Sequence, residues 1–472
     1  MKRILSLMIS FITMFSLVAC SSGITQKDEN NISEQNHTKD SNNNANREDL
    51  SLKVSKDEKK TITISVLGKH PDFVLAAKEY EKKHPNITIK LKSFASGGGG
   101  ISLLQLEKYV SQTTTEVLSG KGADLFILND QSLPIDRYIA KNAFVDLNQY
   151  IEKDTSFDKS QYYMNILEHS KINGGLYVLP TRFSLGALIA NKEAISKTGV
   201  QIDDHKNWTW SRFTEISKQL KAKGTIDTVM EVSPSGILNP LVFSDEYYNK
   251  LVNTEKNEAK FDSPLFIDLL KRVKKMYDHG VLTDFQLGVQ KTTYFTSSPI
   301  YSVNDYAIRS AIYYQNGATI YDFPHSSEKE MGVTFSGYDK YAMNANSTVK
   351  MEAWDYLKFL LSYEIQTKSV SGMFPVNIEA NEKEFTDLIE GKVESATGGK
   401  DGKGGTGGNK SVSESSLEPL KQMISEANTQ VRWNEKIRTI IEEESNSYFK
   451  GQKSAKSVAD IIQNRVMTYL NE

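Results

Sequence analysis

The chain has 472 residues, a formal net charge of −2, seven histidines and one cysteine. So mild a charge balance argues against nucleic acid as a partner, and one thiol excludes a disulfide framework within the chain. A chain of this length can bury one large core or two of moderate size.

Met1-Lys2-Arg3 carries two positive charges, and an apolar run from Ile4 to Val18 follows, interrupted by Ser6, Ser10, Thr13 and Ser16. A charged start, a short apolar core and the small Ala19 before a cut read as a secretory signal over residues 1–19. The run is too short and too rich in hydroxyls to span a membrane. Leu17-Val18-Ala19-Cys20 resembles the lipobox of bacterial lipoproteins, whose cysteine is lipidated and becomes the new N-terminus. The resemblance implies a lipid anchor at Cys20, and a diacylglyceryl group supplies the two chains that stable anchoring needs. Residues 21–60 are polar and nearly free of apolar side chains, which predicts a disordered tether behind that cysteine. A coil of that length spans on the order of 35 Å.

The folded body is expected over 61–472. ITISVL (62–67) reads as a buried strand, and Pro71 opens a helix carrying Phe73, Val74, Ala77 and Tyr80. Pro85 stops it before a second strand, ITIKL (87–91). A helix with Ile101, Leu104 and Val110 follows the glycine run 97–100, and DLFIL (124–128) is a third strand. That alternation predicts a parallel sheet with helices packed on it. LYVLP (176–180), LGALIAN (185–191) and PIYSVND (299–305) read as further strands. Apolar stripes at helical spacing mark helices at Trp210–Leu220, Phe266–Tyr277, Trp354–Leu361 and Val458–Tyr469. Residues 392–413 are low-complexity and predict a surface loop; the G-x-G-x-x-G there has no strand before it and is discounted as a dinucleotide motif.

No H-E-x-x-H, C-x-x-C, G-x-S-x-G or G-x-x-x-x-G-K-[ST] occurs, and the histidines are scattered rather than paired at ligand spacing. Hence no catalytic residue, metal ligand or cofactor is assigned. Carboxylates are plentiful without any pair standing out, so a two-carboxylate glycosidase stays open.

ITISVLGKHPDFVLAAKEYEKKHPNITIKL resembles the opening strand, helix and strand of the family 1 extracellular solute-binding proteins of ABC importers, whose ligands are mostly sugars. Further stretches resemble the same family in the family's order: GADLFILND with FVDLNQYIEKD, LYVLPTRFSLGALIANKEAISKTGV with NWTWSRFTEISKQL, FDSPLFIDLLKRVKKMYDHGVL, YAMNANSTVKMEAWDYLKFLLSYEIQ with GMFPVN, and KSVADIIQNRVMTYLNE. Even the Gly-rich insert resembles one in lipidated members from low-GC Gram-positive bacteria. The resemblance implies an α/β, periplasmic-binding-protein-like fold of type II, with two lobes, a hinge and a ligand cleft between them. Lobe 1 would hold about 61–182 and 320–376, and lobe 2 about 183–319 and 377–472.

The implied function is capture of a small solute, a mono- or oligosaccharide, and delivery to membrane permease subunits. A monomer is expected, facing outward from the cell membrane, without enzymatic activity. A sugar site needs aromatic faces for the rings and charged or amide groups for the hydroxyls. By position in the family pattern, the ligand candidates are Asn129 and Asp130 after DLFIL, then Arg182 and Phe183 after LYVLP. Asn304, Asp305 and Tyr306 after PIYSV, and Tyr338 in a loop, complete the set. Gly68-Lys69-His70 departs from the pattern, since many sugar-binding relatives carry an aromatic there; with four tryptophans in all the usual stacking platform is weakened, which leaves open an oligosaccharide gripped by tyrosines or a solute other than a sugar. Alternatives are a receptor presenting ligand to a membrane sensor, and a surface glycoside hydrolase or adhesin.

Overall fold

The structure is a computed structural model that describes residues 58–95, 101–128, 132–202, 208–254, 256–284, 292–314, 318–325, 332–392 and 413–471. The signal segment, Cys20, the tether, nearly all of the Gly-rich insert, Asn129 and Asp130 lie outside them.

Three strands open the fold: β1 (Lys60–Gly68), β2 (Ile87–Ala95) and β3 (Leu125–Leu128). β1 is central and pairs in parallel with both others, as the strand, helix, strand alternation predicts. Its connecting helix starts at Pro71 as expected, since proline's missing N–H costs nothing in a first turn. His70 serves there as the N-cap, its Nδ1 accepting from the Asp72 N–H at 3.3 Å. The next helix, Leu103–Leu118, begins with a reciprocal capping box between Ser102 and Gln105.

The sheet is mixed rather than wholly parallel. LYVLP and LGALIAN are not two strands: only Leu179 and Pro180 of LYVLP are in a strand, and they continue through LGALIAN as β4 (Leu179–Asn191). Pro180 is tolerated because it sits next to the strand's start. β4 runs antiparallel to Val333–Met343 on one side of its first half. In its second half it pairs with Thr293–Ile300 and Ala318–Asp322. Val333–Met343 also pairs antiparallel with β3, so two antiparallel strands join a parallel group at each end.

Buried side chains fall into separate hydrophobic clusters along this sheet. The first gathers β1, its helix, the start of β4 and the helix Lys350–Leu360, with Trp354 and Tyr356 fully enclosed. A smaller cluster around Tyr109, Phe126 and Tyr138 adjoins β3. The remaining large cluster spans residues 188–295 and 431–466, with Trp208, Trp210 and Phe213 at its centre. Trp210 thus joins the stripe of its own helix, as its spacing predicts. The helices Ile378–Ile389 and Glu414–Glu426 send Phe385, Leu388, Leu417 and Leu420 into the first cluster. The described parts of 377–427, residues 377–392 and 413–427, therefore pack with the first cluster, whereas they were expected on the second lobe.

Candidate functional site

A narrow cleft, open at its mouth, separates these clusters beside the crossing strands. One wall comes from the smaller cluster and its surroundings, through Leu133, Asp136 and Val178. Opposite stand Tyr248, from the helix Asp245–Leu251, and Arg432, Trp433 and Asn434, from the turn leading into the helix Glu435–Phe449. Pro180 and Lys340, register partners on β4 and Val333–Met343, form the floor. Two contacts span the gap: the Tyr248 hydroxyl lies 3.4 Å from Asp136 Oδ2, and Arg432 Nη2 donates to the Lys171 carbonyl at 2.7 Å.

The lining combines aromatic and charged groups. Trp433 is half-buried and packs on Phe243 with ring centroids 5.5 Å apart. Burial, reinforced by Arg432, presses the Lys340 ammonium down to about 7. Burial raises the Asp136 carboxyl, and Arg432 and the Tyr248 hydroxyl partly counter it. Gly337 lets β4 approach here: a Cβ at that position would stand 2.8 Å from Pro180 Cβ.

A second polar and aromatic patch adjoins the cleft along the strand that carries Lys340. Tyr338 lies two residues before Lys340, half-buried, with its ring 6.2 Å from that of Tyr301. Arg309 stands over the Tyr301 ring at 6.0 Å and binds Asp305 Oδ1 at 2.7 Å. Asp305 and Tyr338, both proposed from sequence, are brought together here through Tyr301.

Several candidates sit elsewhere than expected. PIYSVND does not continue as a strand: the strand ends at Ile300, and a helix runs from Val303 to Tyr314. Asn304 and Asp305 therefore occupy its first turn, where Asp305 accepts from the Tyr301 N–H at 3.0 Å. Tyr306 is buried in the first core cluster, its hydroxyl 3.4 Å from the Ser416 carbonyl. Tyr338 lies in a strand rather than a loop. Phe183 is fully buried and stacks on Phe374 at 5.3 Å, which removes it from any ligand surface. Arg182, 5% exposed, donates to the Met373 and Gln366 carbonyls at 2.9 and 3.0 Å.

Asp136, Tyr248, Lys340, Arg432 and Trp433 were not singled out by the sequence. Among the described residues, no group of three or more His, Cys, Asp or Glu side chains could hold a metal ion. Nor is any described helix long and apolar enough to cross a membrane.

Comparison with known proteins places this arrangement. The sequence model of the bacterial extracellular solute-binding proteins matches residues 70–367, well over half the chain, and this protein belongs to that family. The fold is that of the type II periplasmic-binding-protein-like group, two α/β lobes with a cleft between them. The sugar-binding protein MalE of Xanthomonas citri superposes with a TM-score of 0.59 at 14% identity, over 87% of this chain and 97% of that one. The cyclic α-maltosyl-1,6-maltose binding protein of Arthrobacter globiformis gives 0.55 at 15%, over 87% and 98%. The ABC substrate-binding protein Lmo0181 of Listeria monocytogenes, solved with cycloalternan, gives 0.50 at 17%, over 88% and 100%. No curated protein sequence matches the chain.

Proposed function

We propose that this protein is the lipid-anchored, solute-capturing subunit of an ABC importer, holding a mono- or oligosaccharide in the cleft and passing it to membrane permease subunits. The observation that carries the reading is the lining itself. Trp433 offers an aromatic face, and Tyr248 its hydroxyl end, beside Asp136, Lys340, Arg432 and Asn434, the pairing of surfaces that sugar rings and hydroxyls require. The sugars named for structurally similar proteins point the same way. The Tyr301, Tyr338 and Asp305 patch extends the site along the floor strand, and Asp130 and Asn129 remain candidates from their place after β3. Lobe 1 then takes about 61–182, 320–376 and also 377–392 and 413–427, and lobe 2 the other described residues, with β4 as one crossing segment.

Ligand that binds a closed state better than an open one is the switch for docking on the permease. A thermal-shift screen of sugars against the protein tests the reading, because a tight binder raises the melting temperature by mass action. Failure of every sugar alongside a response to peptides or polyamines would refute it. For the sugar so found, Trp433→Ala is expected to cut affinity by about 10- to 100-fold, the scale of a lost aromatic anchor. Calorimetric titration measures that loss, and an unchanged dissociation constant removes Trp433 from the site.

The anchor has its own test. Cys20→Ala should shift the protein from the membrane fraction to the medium with ligand binding intact. A variant that stays with the membrane would end the anchor claim and leave the binding claim standing.

A further inference from the structure

We propose that Arg309 is a positioning residue of the solute site, bracing the Tyr301 ring as a fixed platform on which a sugar ring stacks. The inference rests on the Tyr301 patch being part of that site.

Tyr301 stands between the strand Thr293–Ile300 and the helix Val303–Tyr314. Its backbone is held from two directions. The Tyr301 N–H donates to Asp305 Oδ2 at 3.0 Å, and the Tyr301 carbonyl accepts from the Phe374 N–H at 2.6 Å. With the backbone fixed, the side-chain torsions alone place the ring. A ring free to change rotamer would lose that freedom when a solute stacks on it, which weakens binding.

Arg309 restricts those torsions. Asp305 and Arg309 are four residues apart on the helix, so their side chains meet on one face of it. Arg309 Nε donates to Asp305 Oδ1 at 2.7 Å, and Nη1 donates to Ser298 Oγ at 2.5 Å. These bonds tie the guanidinium to the helix and to the strand at once, with its Cζ over the Tyr301 ring at 6.0 Å from the centroid. A cation in that position is attracted to the aromatic face. One carboxylate therefore holds both the backbone of Tyr301 and the group that covers its ring. Tyr338, from the strand Val333–Met343, meets the same ring edgewise, with 67° between the planes. Tyr301 stays half-buried between these neighbours, which leaves part of its side chain accessible. As an ion pair alone, the contact between Arg309 and Asp305 would matter little, because partly exposed pairs at this spacing contribute weakly to stability. Its effect falls on affinity instead.

Calorimetric titration of the full chain with maltotriose, cellotriose and a galactose trisaccharide selects the tightest of the three as the probe. Tyr301→Ala should weaken it by about tenfold or more. Arg309→Met should weaken it by about 2- to 10-fold, the scale of one side chain left to be ordered on binding. The double variant should bind no more weakly than Tyr301→Ala, since Arg309 acts through the ring. Arg309→Lys should lose as much as Arg309→Met, because an ammonium lacks the planar fork that reaches Asp305 and Ser298 while lying over the ring. Both Arg309 variants should melt within about 2 °C of the parent protein. Losses that add in the double variant, full affinity in either Arg309 variant, or a larger fall in melting temperature overturns the inference. Full affinity with Tyr301→Ala removes the patch from the site, and the inference with it, while the sugar-binding reading stands. Binding of none of the three by a protein that responds to another solute class defeats both.

Discussion

Asp154→Ala is expected to lower the unfolding free energy by about 3–5 kcal/mol, the cost of breaking a buried charged pair from one side. Asp154 caps the end of the helix Asn148–Lys153 and is 6% exposed. Its carboxylate accepts from Trp354 Nε1 at 2.8 Å, from the Ser156 N–H at 2.9 Å and from the Ser156 hydroxyl at 2.6 Å, and it pairs with Lys358 Nζ at 2.8 Å. Removal strands an indole N–H in the core and leaves an ammonium without its neighbour's charge. Urea unfolding measures the loss as a drop in midpoint at constant slope.

The same residue sets an acid limit on stability. Burial alone would raise its carboxyl, but hydrogen bonds from Lys358, Ser156 and Trp354 outweigh it and hold the pKa to about 2. The folded value lies below the unfolded one of about 3.9, so the stabilisation is full above about pH 4 and fades as pH falls toward 2. Asp154→Asn should flatten the acid limb of the stability curve over that window. An unchanged limb would show that other carboxylates dominate it.

Arg182→Met should cost about 2–4 kcal/mol and leave solute affinity of the folded protein unchanged. The guanidinium is committed to the Met373 and Gln366 carbonyls, so it fastens the segment around Phe374–Pro375 to β4. It also draws down the buried Asp339 carboxyl, which burial otherwise raises. Methionine fills the volume and supplies neither donor nor charge. A lowered urea midpoint with a constant dissociation constant fits that role. The opposite pattern, a normal midpoint with weakened binding, would return Arg182 to the ligand site.

Local signals were legible wherever local chemistry decided the outcome. Pro71 opened a helix, Gly280 ended one at φ 63°, and β-branched runs became β1 and β2. The stretch 299–305 misled because alternating apolar residues outvoted a cap within it. Ser302 Oγ accepts from the Asp305 N–H at 3.1 Å, and the Ser-x-x-Asp spacing was the signal for a helix start. The family pattern located the crossing at Arg182 and Phe183, yet β4 turns both side chains into packing. Trp433, Lys340 and Asp136 had no local signature at all. They meet only because Val333–Met343 lies between β3 and β4, and because the C-terminal turn returns to the cleft. Pairing over such separations leaves no period in the sequence.

That insertion orders events in time as well as in space. β3 and β4 are neighbours of one strand that is synthesised only after residues 192–332 have been made. Until it arrives, the edges of both strands stand unpaired, and the parallel group around β1 cannot be joined to the rest of the sheet. Contacts so distant in sequence close slowly, because loop-closure entropy is lost before they form. A chain wired this way cannot close its sheet until residues 333–343 have been made.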